Sequence, residues 1–345
     1  MRVTQSMITR NYLKGLNRTL SDRASSNERI TSGRRFTKIS ENVSDGARAL
    51  KIREQMYKNE QQLVNIRDAQ GELSGAESNL KSINEILQTV QEKSLAGISG
   101  TASGDKRKIL AQEIDNLKDQ VLQFANARFA DKFLFSGTNN AAAPFTVDAS
   151  GKLLYNSKPV DEIYKNPVDG KFYIDDPTAT PIPQNDPIYI DVGLGMKFSG
   201  STVDPKSAFE VSFSGLNVLG FGVDADSGLP NNLYSILDNI SKTLNPTPPA
   251  EFDKDAADAL HKQLAKQTDV LMENITDVGT RVNFLDKTTE RLENDLDNLD
   301  KLRAKLEAVD DATETINMKM YEFAWMATLQ IGSKLIPQSL MDFIR

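Results

Sequence analysis

The single histidine is the one side chain of this sequence whose ordinary pKa lies near neutral pH, so it is the first candidate for a catalytic base or a metal ligand. His261 stands in a polar run, residues 256–264, with a helical pattern, where a solvated helix residue is the expected role. Cysteine is absent, which excludes disulfides, thiolate metal sites and cysteine nucleophiles. We therefore expect no metal and no cofactor.

Two glycine pairs and one acidic run are the other candidates for ligand binding. Gly193–Gly195 and Gly220–Gly222 lack the third glycine and the strand-to-helix context of a dinucleotide loop, so turns between strands explain them. The acidic run Glu293–Asp300 has leucines at helical spacing and no turn glycine of a calcium loop, which favours a solvated helix face. We expect no catalysis. An enzyme would need a pocket within residues 141–228, where scattered acids such as Asp161 and Glu162 are the available groups.

Apolar spacing predicts long helices in the first part of the chain. A helix from about Thr9 to Ile30 should end near Gly33. Apolar residues from Ile52 to Val90 alternate by three and four, which predicts a helix of about fifty residues with Ser44 and Asp45 as its N-cap. Gly71 and Gly75 inside it suggest close helix contact, and another helix should follow the turn at 99–104.

The middle of the chain has a different pattern. No proline precedes Pro144, and eight of the thirteen fall between Pro144 and Pro205. Short β-branched or aromatic runs separated by turn residues predict strands at 145–148, 152–155, 171–175, 187–192 and 208–213. The predicted fold class is mainly α with an inserted β-rich domain (α+β), in which both termini form a long helical bundle or coiled coil.

Five segments follow from these patterns. They are an N-terminal coiled-coil arm at 1–44, the first half of a helical core domain at 45–140, an inserted β-rich domain at 141–228, the second half of the core at 229–301, and a C-terminal coiled-coil arm at 302–345. The boundary near residue 300 rests on the leucines at 292, 296, 299 and 302, which include two successive spacings of three.

The C-terminal segment carries more apolar side chains than one helix-pairing stripe can use. From Leu302 the stripe alternates by four and three through Leu306, Val309, Thr313, Ile316, Met320, Phe323 and Ala327. The only tryptophan, Trp325, lies outside it. Because ordering this segment costs more free energy than its own burial can offset, we expect other copies of the chain to cover it. The alternative is that it packs within the chain's own helical domain.

Charge is distributed unevenly over the two ends. Residues 1–60 hold 13 Lys and Arg against 6 Asp and Glu, whereas residues 251–345 hold 12 against 19. This complementarity suggests that the ends lie side by side, although two ordinary solvated helix faces would have the same composition. A nucleic-acid partner is not expected, since the basic end has one aromatic residue before Phe36 and no groove-reading module. Apolar runs are too short for membrane insertion or for a secretory signal peptide, although the basic start also suits an organellar transit peptide.

Several stretches resemble the bacterial flagellin family. At the N-terminal side these are Glu28–Phe36, Ser44–Leu50 and Gln61–Asp68, and at the C-terminal side Val278–Leu285 and Val309–Glu314. The stretch 124–137, which includes Phe-Leu-Phe-Ser-Gly, and the closing run 337–344 are similar to members that join hook and filament rather than to flagellin proper. The resemblance does not extend to about 141–228, and Ser44-Asp45-Gly46 departs from the family pattern.

The resemblance implies an extracellular structural protein of the bacterial flagellum, exported unfolded through the flagellar type III apparatus without a cleaved signal peptide. Both terminal arms would be disordered in the free subunit and would fold into an inter-subunit coiled-coil tube. The implied partners are a ring of identical subunits, hook-associated protein 1, flagellin and an export chaperone. Flagellin itself and an intracellular coiled-coil adaptor remain alternatives, and protease cleavage before about residue 45 and after about 300 would separate the adaptor from the junction role.

The candidate site residues follow from the stripe and the resemblance together. Arm packing and assembly are assigned to Leu13, Leu16, Leu20, Leu306, Ile316, Met320 and Phe323. Contacts between subunits or with the chaperone are assigned to Trp325, Leu335, Leu340 and Phe343.

Overall fold

The computed structural model describes residues 5–100, 102–138, 142–166, 171–174, 188–200, 202–204, 206–246 and 251–335. The fold is mainly α, with a long helical bundle from both termini and a small β-rich region, which confirms the predicted class. The chain divides into two compact units, Met1–Glu60 with Glu293–Arg345, and Gln61–Leu292. The five predicted segment boundaries stay a prediction.

The first unit is built on two paired helices from opposite ends of the chain. Helix α1 (Gln5–Ser32) packs against α7 (Asp311–Leu335). The pair is antiparallel, because Ser26 lies beside Glu314 while Tyr12, earlier in α1, lies beside Gly332, later in α7. Helix α1 ends before Gly33, whose φ of +66° suits glycine, as the sequence predicts.

Helix α2 (Val43–Ile98) begins with a different cap from the one predicted. Asn42, rather than Ser44 or Asp45, is the capping residue: its Oδ1 accepts a hydrogen bond from the backbone N–H of Asp45 at 3.1 Å. Its Nδ2 donates to the Asp45 carboxylate at 2.8 Å. Asparagine caps helices as well as serine or aspartate does, so the earliest of three suitable residues sets the start of the helix.

The stripe predicted from Leu302 to Ala327 is divided between two helices. Helix α6 (Lys254–Glu307) runs unbroken through residue 300, and α7 starts at Asp311. The Asp310 carboxylate accepts hydrogen bonds from the Ala312 N–H at 3.2 Å and from the Thr313 hydroxyl at 2.6 Å. A local cap therefore decides the break, although the apolar spacing continues across it.

The second unit has a helical core. Helix α3 (Gly104–Ala125), capped by Ser103, and α5 (Leu233–Leu244), capped by Asn232, pack on each other. Helix α2 contacts both, through Lys93 with Glu113 of α3 and through Gly97 with Leu244 of α5. The predicted α2 stripe is confirmed, since its members from Leu63 to Val90 are buried. Gly71 and Gly75 do not face a helix as expected, because a Cβ at Gly71 would lie 2.8 Å from the Phe129 ring and one at Gly75 would contact Phe129 and Leu134.

The β-rich region consists of short antiparallel pairings. All five predicted segments contain a strand. Within the described residues the strands are β1 (Arg128–Phe129), β2 (Lys132–Phe133), β3 (Phe145–Val147), β4 (Leu153–Tyr155), β5 (Lys158–Pro159), β6 (Ile163–Lys165), β7 (Phe172–Ile174), β8 (Tyr189–Ile190), β9 (Phe198–Ser199), β10 (Thr202–Val203) and β11 (Phe209–Glu210). Strands pair as β1-β2, β3-β4-β5, β6-β7, β8-β11 and β9-β10. A short helix, α4 (Gly215–Leu219), follows β11.

Candidate assembly surface

The seam between α1 and α7 is polar and charged. Glu314 is buried on α7, with its side chain 7% exposed, and its Oε1 lies 3.4 Å from the Arg29 guanidinium. The buried Ser26 hydroxyl donates to the Glu314 carbonyl at 3.5 Å. Asn317 donates to the second carboxylate oxygen of Glu314 at 3.2 Å. Asn317 lies on α7 itself, so Arg29 is the partner across the seam, and a shift between the helices would leave the buried charge without its counter-ion.

Farther along the seam, Arg23 links α1 to two residues of α7. Its guanidinium lies 5.0 Å from the centre of the Trp325 ring and 3.9 Å from the Glu322 carboxylate. Trp325 is half-buried by this contact within the chain. The acid–base pairs across the two helices confirm the expectation that the basic and acidic ends lie side by side.

The helices approach closely where α7 carries a glycine. A Cβ added at Gly332 would lie 2.0 Å from the Tyr12 hydroxyl and 2.3 Å from the adjacent ring carbon. Gly332 therefore leaves the space that the Tyr12 ring occupies, and no larger residue fits without displacing that ring.

The apolar stripe of α7 is largely outside this seam. Ile316 is 66% exposed, Met320 58% and Phe323 72%. Leu13 and Leu20 of α1 are also exposed, whereas Leu16 and Leu306 are half-buried. Packing within the arm pair (α1 and α7) thus uses Ser26, Arg29, Glu314, Arg23 and Gly332, which the sequence argument did not select. The assignment of the exposed residues to assembly stays a prediction.

A second stripe in the sequence could have revealed the seam. Positions 314, 318, 321, 325, 328 and 332 alternate by four and three, and all six are buried or half-buried. Apolar spacing alone does not reveal this stripe, because polar and small residues occupy three of the six positions. Met7, Met326, Leu329 and Ile331 add to the exposed apolar surface. Leu335 closes α7, and Leu340 and Phe343 lie outside the described residues.

His261, the acidic run and the two glycine pairs lie in helices and turns. His261 is half-buried on α6, and its Nδ1 makes no hydrogen bond among the described atoms. The acidic run 293–300 lies on α6, where Asp297 and Asp300 pair with Lys301 and Arg303. Gly193 and Gly195 lie between strands, as predicted, but Gly220 ends helix α4, so a strand turn does not explain the second pair.

Asp161 and Glu162 line an open depression with Tyr164, Lys165 and Asn231. Burial raises the pKa of Asp161, and a hydrogen bond from Asn232 opposes that shift. Asn232 also caps α5, accepting the Ser235 N–H at 2.7 Å, so this carboxylate positions a helix cap. Within the described part of the chain no group of three or more His, Cys, Asp and Glu side chains is placed to hold a metal ion. In the same residues no helix is long and apolar enough to cross a membrane.

Residues 3–140 match the family described as the bacterial flagellin N-terminal helical region. This region, which is less than half of the chain, is similar to the bacterial flagellin family. Flagellar hook-associated protein 3 of Salmonella typhimurium is 26% identical over 152 residues, 44% of this chain and 48% of that protein. The protein of the same name from Escherichia coli is 25% identical over 163 residues, covering 47% and 51%. The matches thus span about half the length of these relatives.

A solved structure described as a flagellar hook-associated protein of Vibrio parahaemolyticus has the same fold. It superposes with a TM-score of 0.57 at 19% identity, covering 78% of this chain and all of that one. The similarity to the flagellin family and to its hook-associated members, predicted from short motifs, is confirmed.

Proposed function

We propose that this chain is a structural subunit of the bacterial flagellum that forms the junction between hook and filament. The relatives named flagellar hook-associated protein 3 support a position at the junction between hook and filament. The flagellin match of residues 3–140 supports an axial, self-assembling subunit. The role is mechanical and needs no catalytic group.

One observation carries the proposal: α1 and α7 contact each other through polar groups, and the apolar stripe of α7 stays exposed. Ile316, Met320 and Phe323 lie on successive turns of α7, and each is more than half exposed. Burying such a side chain stabilises a contact by about 1.5–3 kcal/mol. A neighbouring helix that covered all three would therefore contribute several kcal/mol for each subunit, which is enough to favour ordered assembly.

The partners follow from that position in the flagellum. Other copies of the chain would lie beside each arm pair in a ring, with hook-associated protein 1 on one side and flagellin on the other. Before export an unfolded arm would expose the same stripe, so an export chaperone that shields it and passage through the type III apparatus are part of the proposal. The arms then order on assembly, outside the cell.

Complementation of a strain that lacks its own junction protein tests the proposal. The unmodified chain should restore filaments and swimming. Phe323→Glu should abolish filament attachment because it places a charge in the apolar contact, yet the variant should still be secreted. Phe198→Glu is the matched control, since Phe198 is 66% exposed but lies in the β9–β10 hairpin of the other unit.

The two variants separate assembly from general damage. Loss of filaments with Phe323→Glu and their retention with Phe198→Glu supports an assembly role for the α7 stripe. Full swimming with Phe323→Glu contradicts that role, and failure of the unmodified chain to restore any filament contradicts the junction function.

A further inference from the structure

One side of helix α6 carries a row of side-chain donors whose hydrogen-bond partners lie between β8 and α5. The hydrogen bonds run from Gln263 and Gln267 to the Asn231 side-chain oxygen (2.7 and 3.1 Å), from Asn274 to the Asn217 carbonyl (2.8 Å), from Arg281 to the Glu210 carbonyl (3.4 Å) and from Arg291 to the Val192 carbonyl (3.1 Å). We call these five donors the α6 ladder.

The ladder follows the helical repeat. Gln267, Asn274 and Arg281 are seven residues apart, so they lie on one face of α6 about two turns from one another. At 1.5 Å per residue, the helix from 263 to 291 is about 42 Å long. The partners come in the opposite order along the chain, from Asn231 back to Val192. The chain between β8 and α5 therefore follows α6 in the antiparallel direction over that length.

Three of the donors bind backbone rather than side chains. Asn274, Arg281 and Arg291 each donate to a main-chain carbonyl. A carbonyl is present whatever the side chain, so these bonds place few demands on the sequence of the segment that they hold. The ladder can thus fix the position of a region without a matching side-chain pattern in it.

Close packing supports the ladder at its C-terminal end. The Phe209 ring of β11 stacks on Phe284 of α6, with 5.4 Å between ring centres and 2° between ring planes. A Cβ at Gly193 would lie 2.9 Å from the Gln62 side-chain oxygen of α2 and 3.3 Å from the Arg291 guanidinium. Glycine therefore allows this turn to approach α2 and α6 at once.

We propose that the α6 ladder is an interaction surface for the backbone of the β-rich region from β8 to α4, and that it makes this region and the helical core move as one rigid body. A region joined to the core through its chain connections alone could swing about them, whereas bonds spread over about 42 Å of helix oppose such motion. The ladder lies within the unit Gln61–Leu292 and outside the predicted arms at 1–44 and 302–345. The inference therefore holds for the free chain and does not depend on the proposed function.

Hydrogen exchange of the full chain tests the arginine rungs. Arg281→Met with Arg291→Met removes two charged donors and keeps the length of both side chains. The Val211 amide, which donates to the Ile188 carbonyl at 2.9 Å beside the β8–β11 pair, reports on docking. Its exchange should accelerate at least about tenfold, in line with the loss of charge-assisted hydrogen bonds. Amides of α3 should be unchanged, which shows that the helical core remains folded.

A matched double variant removes charges from the same stretch of α6 but leaves the ladder intact. Asp277→Asn removes the Asp277–Arg281 pair, and Lys287→Met removes the exposed Lys287–Glu290 pair. Exposed ion pairs contribute little to stability, so the Val211 amide should exchange at nearly its original rate.

A second pair of variants tests the recognition of backbone. Asn274→Ala removes a donor, whereas Asn217→Ala leaves the carbonyl that accepts from it. Exchange of the Gly220 amide, which donates to the Leu216 carbonyl at 3.0 Å and ends α4, should accelerate about fivefold with Asn274→Ala, as expected for one neutral hydrogen bond. Asn217→Ala should have little effect.

Spin labels test the rigid attachment. The chain has no cysteine, so Gln120→Cys on the exposed side of α3 and Leu194→Cys, at a half-exposed position beside Gly193, introduce its only thiols. With the ladder intact, the distance between the two labels should have one narrow distribution. Arg281→Met with Arg291→Met should broaden it.

Three results would overturn the proposal. The first is a broad distance distribution in the chain that keeps its ladder. The second is an equal effect on Val211 exchange of the two double variants. The third is an effect of Asn217→Ala on Gly220 exchange as large as that of Asn274→Ala.

Discussion

Replacing Gly332 by alanine should weaken the arm pair, although the same replacement strengthens most helices. In an open helix position, Gly→Ala stabilises by about 1 kcal/mol. At Gly332 the new methyl group would lie 2.0 Å from the Tyr12 hydroxyl, so the Tyr12 ring must move by more than 1 Å to reach an ordinary contact distance of about 3.4 Å or more. Such overpacking costs about 1–3 kcal/mol.

The net effect at Gly332 is then destabilisation of up to about 2 kcal/mol, once the helix gain is subtracted. Gly15→Ala in α1 is the matched control, because a Cβ there would meet nothing within 4 Å. It should stabilise the pair by about 0.5–1 kcal/mol. The assay is hydrogen exchange of α1 and α7 peptides in the full chain. Equal effects of the two substitutions would refute the close approach of α7 to Tyr12.

Two further predictions concern a buried residue and a helix cap. Leu80→Ala should lower the free energy of unfolding of the helical core by about 2–5 kcal/mol, because Leu80 is fully buried. Val64→Ala, at an exposed position of the same helix, should change that free energy by less than about 0.5 kcal/mol. Urea unfolding measures both, and equal losses would contradict the predicted core. Hydrogen bonds from the hydroxyl and N–H of Thr313 lower the pKa of Asp310. The ionised Asp310 carboxylate should therefore stabilise the start of α7 at neutral pH. This stabilisation should be lost as the pH falls through the lowered pKa of the folded state, below about pH 4. Exchange of the first turn of α7 at several pH values measures this, and Asp310→Ala should remove the pH dependence.

Much of the helical architecture could be predicted because it follows from apolar spacing alone. The members of the apolar stripe from Leu63 to Val90 follow helical spacing, and they are buried in the second unit. The short strands were also predictable from β-branched and aromatic runs. The residues at which helices begin were harder to predict. Asn42 and Asp310 each set a helix start through a side-chain hydrogen bond that apolar periodicity does not register.

The seam of the arm pair could not be predicted by a rule that looks for apolar stripes. Glu314 and Ser26 are buried because each has a partner on the other helix, and a partner 288 residues away cannot be read from local sequence. The same rule did select Ile316, Met320 and Phe323, but the structure of one chain exposes them. We propose that other copies of the chain cover these three side chains on assembly.

Single-cysteine labelling measures most directly whether the apolar stripe of α7 is covered in the assembled flagellum. Because the chain has no cysteine, Met320→Cys introduces one thiol in the middle of the exposed stripe, and Phe198→Cys introduces one in the β9–β10 hairpin as a control for access. We expect a maleimide to label position 320 of Met320→Cys rapidly in the free chain and at least about tenfold more slowly in flagella isolated from the complemented strain. Equal labelling of position 320 in free chain and flagella would contradict it.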